Sequence, residues 1–146
     1  NSSECFDEGL RSTVILLGPN IPSGIIISEQ ISTVDLFPTI LDLMETQTKI
    51  NHRGESLVPL FSNTKNVERI VMIEGTGDDG TQEKHSNTIG LRTKQYKYFR
   101  DRFSDNRNVH LYDLNNDPFE LSNISEQNPG IIENLENPIV LSIAIS

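Results

Sequence analysis

Thr88-Ile89-Gly90-Leu91-Arg92-Thr93-Lys94-Gln95-Tyr96-Lys97-Tyr98-Phe99-Arg100 holds two short runs of strand-forming residues joined by a polar turn at Thr93-Lys94-Gln95. A third run, Val109 to Leu114, follows a second polar turn at Ser104 to Arg107. Three short strands with turns this brief form an antiparallel meander. In the third run, Leu111 and Asp113 alternate with Tyr112 and Leu114, the pattern of an edge strand with one wet face. Arg92, Lys94 and Lys97 then read as the wet surface of the hairpin.

Upstream, Ile70-Val71-Met72-Ile73 reads as another strand, and Gly75 to Ser86 as a long polar loop. Leu57-Val58-Pro59-Leu60-Phe61 is apolar, but Pro59 keeps it from being a central strand. A helix is expected over residues 34–44. Ser32 or Thr33 caps it, and Asp35 sits in its first turn near the positive end of the dipole. Val34, Phe37, Leu41 and Met44 fall on one face, and Pro38 sits early, where a missing N–H costs least. Thr13-Val14-Ile15-Leu16-Leu17 does not alternate and reads as a strand buried on both faces, stopped by Gly18-Pro19. Ile25 to Ile27 is a short extended piece. Downstream, Asn115-Asn116-Asp117-Pro118 is a turn, a last helix runs from about Pro129 to Leu135, and the apolar tail from Pro138 to Ile145 reads as a strand.

The chain has 146 residues, enough for one compact domain that buries roughly 70% of its unfolded surface. Its 21 acids against 12 bases give a formal charge of −9, which argues against a phosphate backbone as partner. The single cysteine, Cys5, excludes an internal disulfide. No apolar run approaches the ~20 residues that span a bilayer. Asn1-Ser2-Ser3-Glu4 has neither the basic flank nor the apolar stretch of a signal peptide. Asn1-Ser2-Ser3 and Asn123-Ile124-Ser125 fit the glycosylation sequon, a triplet common by chance in an Asn- and Ser-rich chain.

Four segments, in this order, resemble the sulfatase branch of the alkaline-phosphatase-like superfamily. Phe6-Asp7-Glu8-Gly9-Leu10-Arg11 is similar to the family's Tyr-Glu-Glu/Gly-Gly-Leu/Ile-Arg stretch, with Ser12-Thr13 in place of its usual Val-Pro. Ser32-Thr33-Val34-Asp35-Leu36-Phe37-Pro38-Thr39-Ile40-Leu41-Asp42-Leu43 resembles its Asp-Leu-x-Pro-Thr-Leu-Leu-Asp helix. Gly54-Glu55-Ser56-Leu57-Val58-Pro59-Leu60 resembles Gly-Arg-Ser-Leu-x-Pro-Leu. Leu111-Tyr112-Asp113-Leu114-Asn115-Asn116-Asp117-Pro118-Phe119-Glu120, followed by Ser122-Asn123-Ile124, is the most specific of the four. Its Asp117-Pro118 forces a turn, and Glu120 or Asn123 is suited to hydrogen-bonding loop backbone, so these residues read as support rather than catalysis.

The resemblance implies the C-terminal portion of an α/β, alkaline-phosphatase-like fold. As an isolated chain this would be α+β, with a small antiparallel sheet and two or more helices. Residues 1–66 would be the end of the α/β core, 67–137 the small antiparallel subdomain, and 138–146 an unplaced apolar tail. The resemblance also implies sulfate ester hydrolysis by a formylglycine nucleophile, with calcium held by carboxylates as cofactor of the complete enzyme. Cys5 is followed by Phe6-Asp7-Glu8 and does not match the nucleophile motif. The family's Asp-Asn or Asp-His ligand pair would precede residue 1, and no lysine occurs before Lys49 to match its sulfate-contacting lysine. No catalytic residue and no metal ligand is therefore assigned within this chain, which is expected to be inactive alone. An independent binding or self-associating module is the alternative.

Asp78-Asp79-Gly80, with Glu74 and Glu83, reads as an acidic loop, since the EF-hand spacing is absent. His52, His85 and His110 lie far apart, without a zinc pattern. His85, in the Gly-rich loop, is the one candidate for the edge of a substrate pocket. The expected partners are the remainder of a sulfatase chain or a second copy, with no nucleic acid and no membrane span. The Thr13–Leu17 strand in particular needs cover, either from the tail or from another chain.

Overall fold

The computed structural model describes residues 5–62, 69–75, 88–102 and 107–144. They fall into two compact units, one of residues Thr13–Arg69 and one joining the residues up to Ser12 with those from Ile70 onward. The division expected near residue 66 therefore misplaces the first segment, whose side chains pack with the C-terminal sheet.

The C-terminal unit begins with a single helical turn, α1 (Asp7–Leu10). Four strands follow: β1 (Val71–Gly75), β2 (Thr88–Arg92), β3 (Tyr96–Asp101) and β4 (His110–Asp113). They pair antiparallel in the order β1-β2-β3-β4, which is the expected meander with the upstream strand added at its edge. The β2–β3 turn is tight because Thr93 Oγ1 accepts from the N–H of Tyr96 at 2.8 Å while the Thr93 N–H donates to the Tyr96 carbonyl at 2.8 Å. Gly90 faces Phe99 across that hairpin. A Cβ there would lie 2.2 Å from the Tyr98 carbonyl oxygen, so only glycine fits.

One face of the sheet presents Ile89, Leu91, Tyr98 and Leu111 to the helix α3 (Pro129–Ala144), which covers them with Leu135 and Ile139. The tail expected as a strand is thus helical. Leu135 and Ile139 are four residues apart, about one helical turn, and so meet the sheet from one side of α3. Pro138 lies inside α3 and removes one backbone hydrogen bond, at a cost of about 3 kcal/mol or more. Burying Ile139 completely recovers about 1.5–3 kcal/mol of that.

The expected wet face of β4 is also absent: Leu111 and Tyr112 are both buried, one on each side of the sheet. The outer edge of β4 is closed by the segment after Glu120. Asn123 Oδ1 accepts from the Leu111 N–H at 3.0 Å, and the Ile124 N–H donates to the Leu111 carbonyl at 2.9 Å. Asn123 Nδ2 donates to the Val109 carbonyl at 2.9 Å, so the sequon asparagine serves as an edge cap.

In the other unit, a 3-10 turn (Thr33–Asp35) leads into α2 (Leu36–Leu43), close to the expected helix. Ser32 and Asp35 form a capping box. Helix α2 ends with Glu45 in the left-handed region, where the Thr46 N–H donates to Leu41 and the Glu45 N–H to Asp42.

Asp35 and Thr39 then tie the second resembling segment to the third. Asp35 Oδ1 accepts from the Glu55 N–H at 2.9 Å, and Thr39 Oγ1 from the Leu57 N–H at 2.9 Å. Arg69 completes the site on Asp35 Oδ2 at 2.8 Å. Gly54 passes so close to Val34 that a Cβ would sit 2.0 Å from its carbonyl oxygen.

Thr13 to Leu17 form no strand, contrary to expectation. Ile15 is 76% and Leu17 90% exposed, and the apolar side chains Val34, Phe37, Ile40 and Met44 are exposed as well. An apolar run becomes a buried strand only where neighbouring strands accept its hydrogen bonds and cover its faces, and the described residues of this unit supply none. Pairing with the tail is excluded because those residues through Ala144 are spent in α3.

Candidate functional site

The second face of the sheet carries a buried cluster of charges around Lys97. Strand alternation places Lys97 and Phe99 on this face, with Arg92 and Tyr112 flanking Lys97, and Gly90 and His110 flanking Phe99. Lys97 is 0% exposed, not the wet residue its place in the hairpin implied. Its Nζ donates to Glu120 Oε1 at 2.8 Å and to Asp7 Oδ1 at 3.0 Å. Arg92 reaches the same Asp7 carboxylate with Nε at 3.3 Å and Nη2 at 3.1 Å. The Asp7 N–H donates to Glu120 Oε2 at 3.3 Å.

Two cations and two carboxylates thus neutralise one another. Burial pushes the Asp7 carboxyl up, but the hydrogen bonds and charges of Lys97 and Arg92 outweigh it and hold the group below its ordinary range. An ammonium taken out of water costs several kcal/mol unless it is paired in this way. A cluster so fully satisfied offers neither a nucleophile nor a general base.

Beside it, Phe6 packs edge-on against Phe99 at 5.9 Å, and Cys5 is buried with Ile73, Phe99 and Tyr112. His110 stacks on Phe99, with ring centroids 4.6 Å apart, and its Nδ1 lies 3.1 Å from the Tyr112 hydroxyl. Its buried Nε2 has no hydrogen-bond partner among the described residues. Burial lowers the His110 pKa, and the charge of Asp101 only partly opposes this.

The folded state therefore favours the neutral ring. Its contribution to stability is complete above the ordinary histidine value of 6.5. It is lost progressively as pH falls from there toward the lower folded value, and the loss then levels off. Denaturant titrations between pH 7.5 and 5 are expected to show this decline, and His110→Phe, which keeps the stack, to flatten it. Equal slopes in both proteins would show that His110 does not titrate against the fold.

His85, the pocket-edge candidate, lies outside the described residues, as do Asp78, Asp79 and Glu83. His52 Nδ1–H donates to the Gly54 carbonyl, 3.1 Å away, in the other unit. Among the described residues, no three His, Cys, Asp or Glu side chains converge to hold a metal ion. The calcium implied by resemblance thus finds no fitting donor set there. Nothing in the sequence marks Lys97 as buried beyond its alternation with Phe99. Glu120 is a support residue, as expected, but its carboxylate serves Lys97 and the Asp7 N–H rather than its own loop.

The family described as N-sulphoglucosamine sulphohydrolase, C-terminal, matches residues 4–140. Arylsulfatase K of Homo sapiens is 32% identical over 144 residues, covering 92% of this chain and 26% of that protein. Arylsulfatase K of Danio rerio is 30% identical over 138 residues, covering 90% of this chain and 25% of that protein. The chain spans about a quarter of the length of these curated relatives.

Among solved structures, the putative sulfatase yidJ from Bacteroides fragilis is 27% identical with a TM-score of 0.59, over 71% of this chain and 23% of that one. The structure of BT4656 in complex with its substrate D-Glucosamine-2-N, 6-O-disulfate shares the fold at 20% identity and a TM-score of 0.60, over 74% of this chain and 23% of that one. No helix among the described residues is long and apolar enough to cross a membrane. The four resembling segments, the α+β meander and these matches agree, and the chain belongs to the sulfatases, as a C-terminal portion in the N-sulphoglucosamine sulphohydrolase C-terminal family.

Proposed function

We propose that this chain is the C-terminal part of an enzyme that hydrolyses sulfate esters to alcohol and sulfate, and that this part alone is inactive. The observation that carries the reading is the coverage: more than nine-tenths of the chain aligns with only about a quarter of human Arylsulfatase K. On this reading the nucleophile and the calcium ligands belong to the other three quarters. The paired charges around Lys97 and the buried Cys5 are consistent with that, since none is presented to a substrate.

The remaining portion is also the proposed partner of the Thr13–Arg69 unit. Its exposed Ile15, Leu17, Ile26 and Met44 are the kind of surface that a larger sheet and its helices bury. His85 stays assigned to the edge of the substrate pocket. The test is sulfate release from an aryl sulfate by the purified chain, and by the same chain joined to the upstream portion of a sulfatase. No turnover is expected from the first and turnover from the second. Release by the chain alone, abolished by Cys5→Ser, would overturn the proposal.

A further inference from the structure

Around Glu120 the usual relation between polarity and burial is inverted. Phe119 and Leu121 are 77% and 83% exposed, while the glutamate between them is 6% exposed. Its backbone sits in the left-handed region at φ 56°, a conformation unfavourable for a side chain larger than glycine. The Asp117 carbonyl holds it there by accepting the Glu120 N–H at 3.2 Å. Two apolar side chains are thus given up to water and a backbone cost accepted so that one carboxylate reaches Lys97.

The other end of the same cluster is α1, a single turn of four residues. A helix this short cannot hold itself together in water, because nucleation is unfavourable and too few bonds follow it. Its tertiary ties converge on one place. The Asp7 carboxylate meets Lys97 and Arg92, the Asp7 N–H meets Glu120, and the Phe6 ring lies 6.0 Å from Lys97 Nζ.

Stability alone does not require this design, since an apolar side chain of similar length replacing a buried ion pair is often neutral or stabilising. We propose that Lys97 is a positioning residue: it clamps the Phe6–Leu10 turn, through Asp7, to the Glu120 loop and the sheet, and so selects where this distant segment docks. The apolar contacts of the Phe6 ring are non-directional and do not by themselves fix one position. The two carboxylates on one ammonium define a single position. The clamp is independent of whether the complete enzyme cleaves sulfate esters.

Hydrogen exchange followed by mass spectrometry tests the clamp in the chain itself. The reporting amides are Asp7, Gly9, Leu10 and Arg11, all hydrogen-bonded in the docked turn. In Lys97→Met these are expected to exchange at least about tenfold faster, while the amides of β2, β3 and α3 keep their protection. Asp7→Asn, which alters only the docked segment and leaves the sheet intact, is expected to give the same selective loss. Unchanged protection of residues 7–11 in either folded variant overturns the proposal. So does a loss spread evenly over sheet and α3 in both variants, which would make Lys97 a general support of the core.

Discussion

Asp35→Ala is expected to destabilise the Thr13–Arg69 unit by about 3–5 kcal/mol, the usual cost of removing one partner from a buried charge pair. Asp35 is buried, and its two oxygens serve three donors. The Ser32 N–H is 2.8 Å away, the Glu55 N–H 2.9 Å and Arg69 Nη2 2.8 Å. Alanine leaves two backbone donors and a guanidinium without their acceptor in a place that water reaches poorly. Glu55 lies 3.8 Å from Arg69, but it is mostly exposed and a weak substitute. Asp35→Asn keeps one acceptor oxygen and is expected to fall between the wild type and alanine. Urea unfolding of this unit is the measurement, and a change below about 1 kcal/mol would show that the network carries little of its stability.

Glu136→Ala is expected to have a comparable effect, about 3–5 kcal/mol, on the C-terminal unit. Glu136 stands on α3 and receives Arg100 through Nε at 2.5 Å and Nη2 at 3.0 Å. The Tyr98 hydroxyl donates to the same carboxylate, and Arg107 approaches at 3.5 Å. Arg100 and Tyr98 are both buried in the sheet, so alanine strands a guanidinium and a hydroxyl beneath the helix. Burial raises the Glu136 carboxyl. The hydrogen bonds from Arg100 and Tyr98, with the charges of Arg100 and Arg107, more than offset this and bring it below its ordinary value of 4.5. Burial and the bond to Glu136 push the Tyr98 hydroxyl well up, so it stays a donor at any ordinary pH.

The stabilisation from Glu136 is therefore present above about pH 4.5 and lost as pH falls through its lower folded value. Acid unfolding of Glu136→Gln, monitored by circular dichroism, is expected to lack that part of the decline. An acid limb identical to wild type would mean that this carboxylate is not what the helix depends on.

Several features were legible in the residues because they are local. Ser32, Asp35 and Pro38 mark a helix start whose capping groups lie within one turn, and the helix forms close to the place they mark. Thr93-Lys94-Gln95 can close only a tight hairpin between two strand-forming runs, and the meander follows from it. The four family segments were legible for the same reason. They encode turns, caps and a close approach at Gly54, and the structure uses Asp35, Thr39 and Asn123 for those purposes.

Whatever depends on a distant surface was decided by the tertiary structure. The apolar tail carries no mark that separates strand from helix, and only the sheet face of Ile89, Leu91, Tyr98 and Leu111 draws Leu135 and Ile139 onto one helical side. Lys97 reads as a surface lysine until Asp7 and Glu120, far from it in sequence, bring two carboxylates to its ammonium. Thr13 to Leu17 has the composition of a buried strand, yet a strand exists only where other chain segments complete its hydrogen bonds. Composition determines the tendency of a segment to be buried, but the partner that buries it, and hence its conformation, is a property of the whole fold.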